Sequence, residues 1–348
     1  MMTKELFFSQ LERAALVTHN QPVTGAIVRY LAAELKKGDP HWWAKTCKAW
    51  EKRSFTAWTE AWGLFLTCLH YEALSDAANP MVRYFPSCGG TPEADPAPAV
   101  AAFLADPPDS FFERLRAGHR RSYVAERAAL WLVPAMFYFH RRKLPYYLVE
   151  VNSGAGLNLA ADVISPQPGF DSSLVAARIG LDPEPLLLGD INQRRWLTAA
   201  IPPENMDAIA KMDQAADLVL GRMSQDPAFV QLAPCAPAAA PKFIGKNIPV
   251  DEDVGLCVVN MGTTSRMTDA EYAAYKSGIE FLFKPWGERA LWAEVENVRG
   301  ELYSTTFQLR IHRLKDAGFP NFVAASVDFS AGNVHCDLEG AAEFLQVG

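Results

Sequence analysis

From Tyr146 onward the chain carries six short apolar runs, at 147–151, 175–181, 255–261, 290–295, 305–311 and 322–329, separated by glycines and helix-like stretches. Runs of that length fit strands. Strands that alternate with helical segments build an α/β domain, because parallel neighbours need a crossover between them. The sheet is therefore expected to be mostly parallel. The last two runs leave no room for a long helix between them, so they are expected to close the sheet as an antiparallel hairpin.

The first part of the chain has a different texture. Apolar residues recur three and four positions apart, as in Leu6, Phe7, Leu11, Ala14 and Ala15 and then Ile27, Val28, Leu31 and Leu35, so residues 4 to about 83 read as helices. Gly38-Asp39-Pro40 ends the first pair, residues 86–108 read as a Pro/Gly/Ala loop or linker, and 110–140 return to helical spacing. A chain of 348 residues has room for about two domains. The expected division is an all-helical N-terminal or lid domain over residues 1–145 and an α/β domain over 146–348.

Charge narrows the partners. Up to Pro145 there are 18 Lys and Arg against 14 Asp and Glu, and beyond it 15 against 26. So acidic a second half repels a phosphate backbone, and no nucleic-acid partner is expected. No run reaches the roughly 18 to 20 apolar residues that cross a bilayer, and no membrane partner is expected either. The opening Met-Met-Thr-Lys-Glu-Leu-Phe-Phe does not read as a secretory signal, which places the protein in the cytoplasm. The six cysteines include no Cys-x-x-Cys pair, and the seven histidines show no metal spacing, so no metal is expected.

The segment with chemical content is Leu148-Val149-Glu150-Val151-Asn152-Ser153-Gly154-Ala155-Gly156-Leu157-Asn158-Leu159. It reads as a buried strand ending in an acid, a small-residue turn and the start of a helix. Gly154 and Gly156 lack Cβ, so the backbone there can turn tightly and come close to a ligand. A dinucleotide loop would place a third glycine at position 159; its absence favours a ligand without a pyrophosphate. The alternative is a structural turn that needs glycine for the same steric reason and binds nothing.

An acid at the strand end followed by spaced glycines resembles the first motif of class I S-adenosylmethionine-dependent methyltransferases, acidic-x-Gly-x-Gly-x-Gly. Glu150, Gly154 and Gly156 match it, and Asn152 stands where the first glycine belongs; Asn is the non-glycine residue that best tolerates left-handed angles. More widely, Glu150–Asn158, Arg178-Ile179-Gly180-Leu181-Asp182-Pro183 and Arg195-Trp196-Leu197 resemble an uncharacterised bacterial family, a domain of unknown function with a helical N-terminal part and a methyltransferase-like core. This resemblance covers most of the chain. The segment Asp328-Phe329-Ser330-Ala331-Gly332 departs from it, since such proteins tend to carry histidines there.

The resemblance implies a Rossmann-like methyltransferase-type sheet and S-adenosylmethionine as cofactor. Its implied binding set is Glu150, Asn152, Ser153, Gly154, Gly156, Asn158 and Asp182, with Asp182 on the ribose hydroxyls. Asp171 competes for that last role but follows a Pro/Gly stretch that is not strand-like. Asn260, near the end of the apolar run 255–261, and Glu294, which shares a strand face with Glu296, are the candidate catalytic residues. For these the plain alternatives are a polar turn and a solvated strand end.

The expected activity is methyl transfer to a small-molecule substrate; the alternative is a catalytically silent methyltransferase-like module that binds a metabolite or a protein partner. Neither a Gly-x-Ser-x-Gly elbow nor a Walker loop is present, and Asp106-Pro107-Pro108-Asp109 lacks the aromatic of an amino-methylating signature. Five of the nine tryptophans, Trp42, Trp43, Trp50, Trp58 and Trp62, crowd the N-terminal helices, where core packing is preferred over a pocket wall.

Overall fold

The computed structural model describes residues 2–92, 95–121, 123–298, 306–315, 318–328 and 333–346. The chain forms two compact units, one of Met1–Ser122 with Asp190–Asp213 and one of Tyr123–Gly189 with Gln214–Gly348. Residues 123–145, grouped by sequence with the helical part, thus belong by contact to the second unit. A 24-residue excursion returns to the first.

The first unit is helical, with Lys4–Val17, Pro22–Lys37, His41–Trp50, Glu60–Ser75, Ala97–Ala105 and Asp109–Ala117 as its longer early elements. Thr3 caps the first helix by accepting from the Leu6 N–H, and that helix buries Phe7, Gln10, Leu11 and Ala14, related by steps of three and four along one face. Ala97–Ala105 corrects the expectation of a continuous linker over 86–108: its proline sits in the first turn, where the missing N–H costs nothing, and Val100, Phe103 and Leu104 are buried. Phe7 stacks on Trp43 at 5.3 Å and meets Trp50 edge-on at 5.3 Å, and Phe65 joins Trp42 at 5.2 Å and Phe111 at 5.4 Å. Those tryptophans are core. Trp58 and Trp62 touch each other at 5.9 Å, and the guanidinium of Arg13 lies over Trp58.

The excursion is fastened to this unit by polar contacts. Asp190 caps the helix Ile191–Ala199 by accepting from Asn192 and Gln193 N–H. His70, 2 % exposed, shares Nδ1 between the carbonyls of Ala199 (3.2 Å) and Ile201 (3.0 Å), and its Nε2 meets Ser87 Oγ at 2.7 Å. Thr24 donates through N–H and Oγ1 to the Glu204 carboxylate, both at 2.8 Å.

The second unit is a mixed α/β structure around one eight-stranded sheet. Its strands are β1 (Tyr146–Val151), β2 (Val175–Asp182), β3 (Gln231–Pro234), β4 (Gly255–Met261), β5 (Ala290–Asn297), β6 (Thr306–His312), β7 (Asn321–Asp328) and β8 (Asn333–Cys336), in the order β3-β2-β1-β4-β5-β6-β7-β8. The pairs among β1 to β5 are all parallel, and β6, β7 and β8 follow antiparallel. All six apolar runs are strands, and the last two pair antiparallel as expected. The short β3 and β8 are too brief to register as runs, and positions 305 and 329–332 lie outside the described residues. Strand order reverses beside β1, between β2 on one side and β4 on the other, which is where open α/β sheets leave a crevice at their carboxyl ends.

Candidate functional site

The loop leaving β1 is built from three left-handed residues, Asn152 at φ 67°, Gly154 at φ 58° and Gly156 at φ 74°. Asn152 thus adopts a left-handed conformation that glycine takes more readily than other residues. Asn152 N–H (2.6 Å) and Ser153 N–H (3.1 Å) both donate to the Leu181 carbonyl, and Leu186 N–H donates to that of Gly154 at 3.0 Å. Asp182, 0 % exposed, accepts from Gly154 N–H through Oδ2 and from Glu184 N–H through Oδ1, each at 2.9 Å. Its carboxylate ties the β1 loop to the β2 loop.

Two further details close this loop. A Cβ added to Gly156 would lie 2.8 Å from Val230 Cγ1 and 3.1 Å from Leu232 Cδ2, so the space that the missing side chain opens is packed by the protein's own residues. The helix expected after the loop is also reduced to two short turns, Leu157–Ala160 and Ala161–Ile164. Leu157-Asn158-Leu159 buries both leucines toward the core, and Ser165-Pro166-Gln167-Pro168 ends the segment, because the residue before a proline is pushed out of the helical region. One turn aligns few peptide dipoles, so it offers little to an anion.

Glu150 is 1 % exposed and accepts from Asn158 Nδ2 at 2.5 Å through Oε1, while Oε2 is buried with no partner among the described residues. Burial pushes its carboxyl up to about 8, against the opposing pull of the Asn158 bond and the Arg127 charge. Ser153 Oγ, also buried and with no partner among the described residues, lies 2.5 Å from where a Gly180 Cβ would be; Gly180 is the register partner of Glu150. A side chain at 180 would collide with Ser153 and Leu232, so only glycine fits. Nearby, Arg178 Nη2 meets Asp162 Oδ2 at 2.6 Å in a buried ion pair, and its Nε donates to the Leu159 carbonyl at 3.1 Å.

Asn260 and Glu294 belong to a different network. The register pairs Val151 with Asn260 and Asn260 with Glu294, whereas Glu150 pairs with Val259. Neighbouring positions along a strand point to opposite faces, so Asn260 and Glu294 lie on the face away from Glu150. Asn260, fully buried, accepts from Trp292 Nε1 at 2.6 Å and from Tyr275 O–H at 3.1 Å. Glu294, equally buried, accepts from Thr264 Oγ1 (2.6 Å), Tyr272 O–H (3.1 Å) and His312 Nε2 (2.5 Å). Burial would raise this carboxyl, but the bonds from His312 and Thr264 and the charge of Arg310 hold it below the usual carboxylate range. Burial lowers His312, whose ring stacks on Trp292 at 4.1 Å.

Glu296 completes the carboxyl edge. Its Oε1 accepts from Thr263 N–H (2.7 Å) and Thr264 N–H (2.9 Å), and its Oε2 from Ser265 N–H (3.1 Å) and Ser265 Oγ (2.7 Å). Thr263 Oγ1 in turn donates to the Val151 carbonyl at 3.1 Å, joining the β4 loop to the end of β1. Neither glutamate is a solvated strand end.

The structure therefore brings Glu150, Asn152, Ser153, Gly154, Gly156, Asn158 and Asp182 together around the β1 and β2 loops, and Asn260 with Glu294 in a second cluster on the other face. Sequence reading gave no role to His312, Tyr272, Tyr275 or Thr264, although strand alternation places His312 and Arg310 on one face of β6. Arg127 had no local signal at all; its charge faces both Glu150 and Glu296, and burial lowers its pKa. No helix among the described residues is long and apolar enough to cross a membrane. Residues 9–166 and 163–328 match the family described as an uncharacterised protein conserved in bacteria (DUF2332), and the chain belongs to that family. No curated protein matches the chain.

Proposed function

We propose that the second unit is a methyltransferase-like module that binds a small molecule at the carboxyl edge of its sheet and transfers no methyl group. What carries this reading is the separation of the two candidate groups by strand register: Asn260 and Glu294 are turned into the core on the face opposite Glu150. A transfer enzyme works by aligning its acceptor with the methyl donor, and the side-chain oxygens of Asn260 and Glu294 are committed instead to Trp292, Tyr275, Thr264, Tyr272 and His312. Two observations support it. The Asp182 oxygens that would take ribose hydroxyls already accept from Gly154 and Glu184 N–H, and the space beside Gly156 holds Val230 and Leu232.

The ligand would lie where strand order reverses between β1 and β4, against the loops 152–156 and 262–265. The second reading, S-adenosylmethionine-dependent methyl transfer to a small molecule, is favoured by the order β3-β2-β1-β4-β5 and by the three left-handed residues after Glu150. Calorimetric titration of the full chain with S-adenosylmethionine and with S-adenosylhomocysteine separates them. Heat indistinguishable from dilution at millimolar ligand is the expected result. A saturable one-to-one isotherm with both ligands, together with transfer of a labelled methyl group from S-adenosylmethionine to a small molecule of a cell extract, overturns the proposal in favour of the second reading.

A further inference from the structure

His70 and Ser87 form a polar pair inside the helical unit, independent of the sheet and its loops. His70 lies on the helix Glu60–Ser75 and Ser87 in the short turn Pro86–Cys88. The carbonyls of Ala199 at 3.2 Å and Ile201 at 3.0 Å both meet His70 Nδ1. A carbonyl only accepts, so Nδ1 carries the ring hydrogen and Nε2 keeps its lone pair. Ser87 Oγ, 2.7 Å from Nε2, therefore donates to it. The same returning segment fixes the serine backbone, since Ser87 N–H donates to the Pro203 carbonyl at 3.0 Å.

This is the order of groups by which a neutral imidazole activates a hydroxyl: an acceptor holds the ring in one tautomer, and the opposite nitrogen faces the O–H. Here two carbonyls stand where a carboxylate usually does, and Phe85 meets the imidazole edge-on at 5.6 Å. Access is from one side. His70 is buried, whereas Ser87 and Cys88 are half-buried, Gly89 is exposed, and a Cβ on Gly89 would meet open space.

The surrounding backbone limits the chemistry. The N–H groups of Ser87, Cys88, Gly89, Gly90 and Thr91 donate to the carbonyls of Pro203, Phe85, Pro86 and Arg83. None of the five is left to receive an oxyanion, and one such donor is worth roughly 10²–10³ in rate. Acylation there needs a leaving group that is stable by itself. The serine ester that results has no such leaving group, so it persists.

We propose that Ser87 is a self-acylation site, at which His70 acts as general base toward an activated carboxylic ester. Oγ attacks the acyl carbon while its proton passes to Nε2. The bond from the acyl carbon to the leaving oxygen then breaks, and the proton is returned to that oxygen. Ester and hydroxyl become serine ester and free alcohol, with no change of oxidation state.

Mixing the full chain with p-nitrophenyl acetate tests the site, with phenol release followed by stopped-flow absorbance and acetyl groups located by peptide mass spectrometry. Expected is a burst of one phenol per chain followed by slow turnover, with the acetyl group on Ser87. Within the wild type, Ser87 should gain acetyl about a hundredfold faster than Ser224, an exposed serine whose Oγ donates to the Gly221 carbonyl. His70→Gln keeps an acceptor for the hydroxyl but takes up no proton, and should slow the burst by about the same factor. Cys88→Ala removes the thiol 3.8 Å from Ser87 Oγ and should leave the burst in place. Equal acetylation of Ser87 and Ser224 in the wild type overturns the proposal whether or not the variants fold. Acetyl on Cys88 in place of Ser87 overturns it as well, and so does a folded His70→Gln chain that bursts at the wild-type rate.

Discussion

At the level of single residues, Asn152 and Glu150 carry the sharpest tests. Asn152 holds φ 67°, a conformation that costs an ordinary L-residue roughly 1–2 kcal/mol. Asn152→Gly should leave stability within about 0.5 kcal/mol, because relief of strain offsets the extra freedom of the unfolded chain. Asn152→Ala should lose about 1 kcal/mol, read from urea midpoints. Glu150 titrates near 8 in the folded chain against an ordinary 4.5. The unfolded chain therefore releases its proton first as pH rises, and stability falls from about pH 4.5 until the folded carboxyl ionises near 8, by an amount on the order of 3–5 kcal/mol. Glu150→Gln mimics the neutral acid and should abolish that slope, raising Tm at pH 8 much more than at pH 5. Equal shifts at both pH values would show that Asn158 and Arg127 keep Glu150 ionised. Sequence reading placed Glu150 at a strand end and Asn152 in a left-handed turn, since both follow from local chain geometry. It could not show that burial neutralises Glu150, because Arg127 and Asn158 meet it only through the fold.

Elements are held by polar bolts that local sequence does not reveal. The Arg178–Asp162 pair fastens the short turns after the β1 loop to β2. Removing one partner, as in Asp162→Leu, leaves a buried guanidinium unpaired and should cost about 3–5 kcal/mol, whereas the double replacement Arg178→Met with Asp162→Leu should recover much of it. A double-mutant cycle in urea reads the coupling. His70 plays the same part for the returning segment, and burial takes it down to about 4 from an ordinary 6.5. A depressed base gives stability that is complete above pH 6.5 and lost as pH falls toward 4, on the order of 3 kcal/mol in all, because only the unfolded chain takes up the proton. His70→Gln keeps both hydrogen-bonding directions without titrating. Its loss of urea midpoint between pH 7 and pH 5 should be smaller than that of the wild type. The six main strands were legible because they are six to eight residues long, with β1, β4 and β5 buried almost throughout; β3 and the Ala97–Ala105 helix were not, since four residues or an alanine-proline stretch carry no decisive period. For Glu294 and Glu296, alternation gave the correct shared face, but only the paired loop 263–265 and His312 explain why carboxylates are buried there.

At the scale of the whole molecule, the connectivity is the property that sequence concealed most fully. Composition changes at Tyr146, and a boundary at 145/146 follows from it, yet the chain's contacts divide at 122/123 and bring Asp190–Asp213 back to the helical unit. The reason is physical: Ile191–Ala199 is an ordinary capped helix, and nothing in its own residues says which core will receive it. What receives it is the helix Glu60–Ser75, where Tyr71 packs against Trp196 at 5.7 Å and His70 takes the carbonyls of Ala199 and Ile201. Without the excursion, His70 Nδ1 loses both of its carbonyl acceptors and Thr24 loses the Glu204 carboxylate, and leaving such groups unmade in the interior is costly. A fragment of residues 1–145 should therefore unfold without a cooperative thermal transition, even though it contains the whole aromatic core around Phe7 and Trp50. Adding a peptide of residues 190–213 should restore a transition whose midpoint rises with peptide concentration, as mass action requires for a segment that binds only the folded state. Calorimetry and far-ultraviolet circular dichroism would follow both. A sharp transition in the 1–145 fragment alone, unmoved by the peptide, would mean that the helical unit is complete without its returning segment.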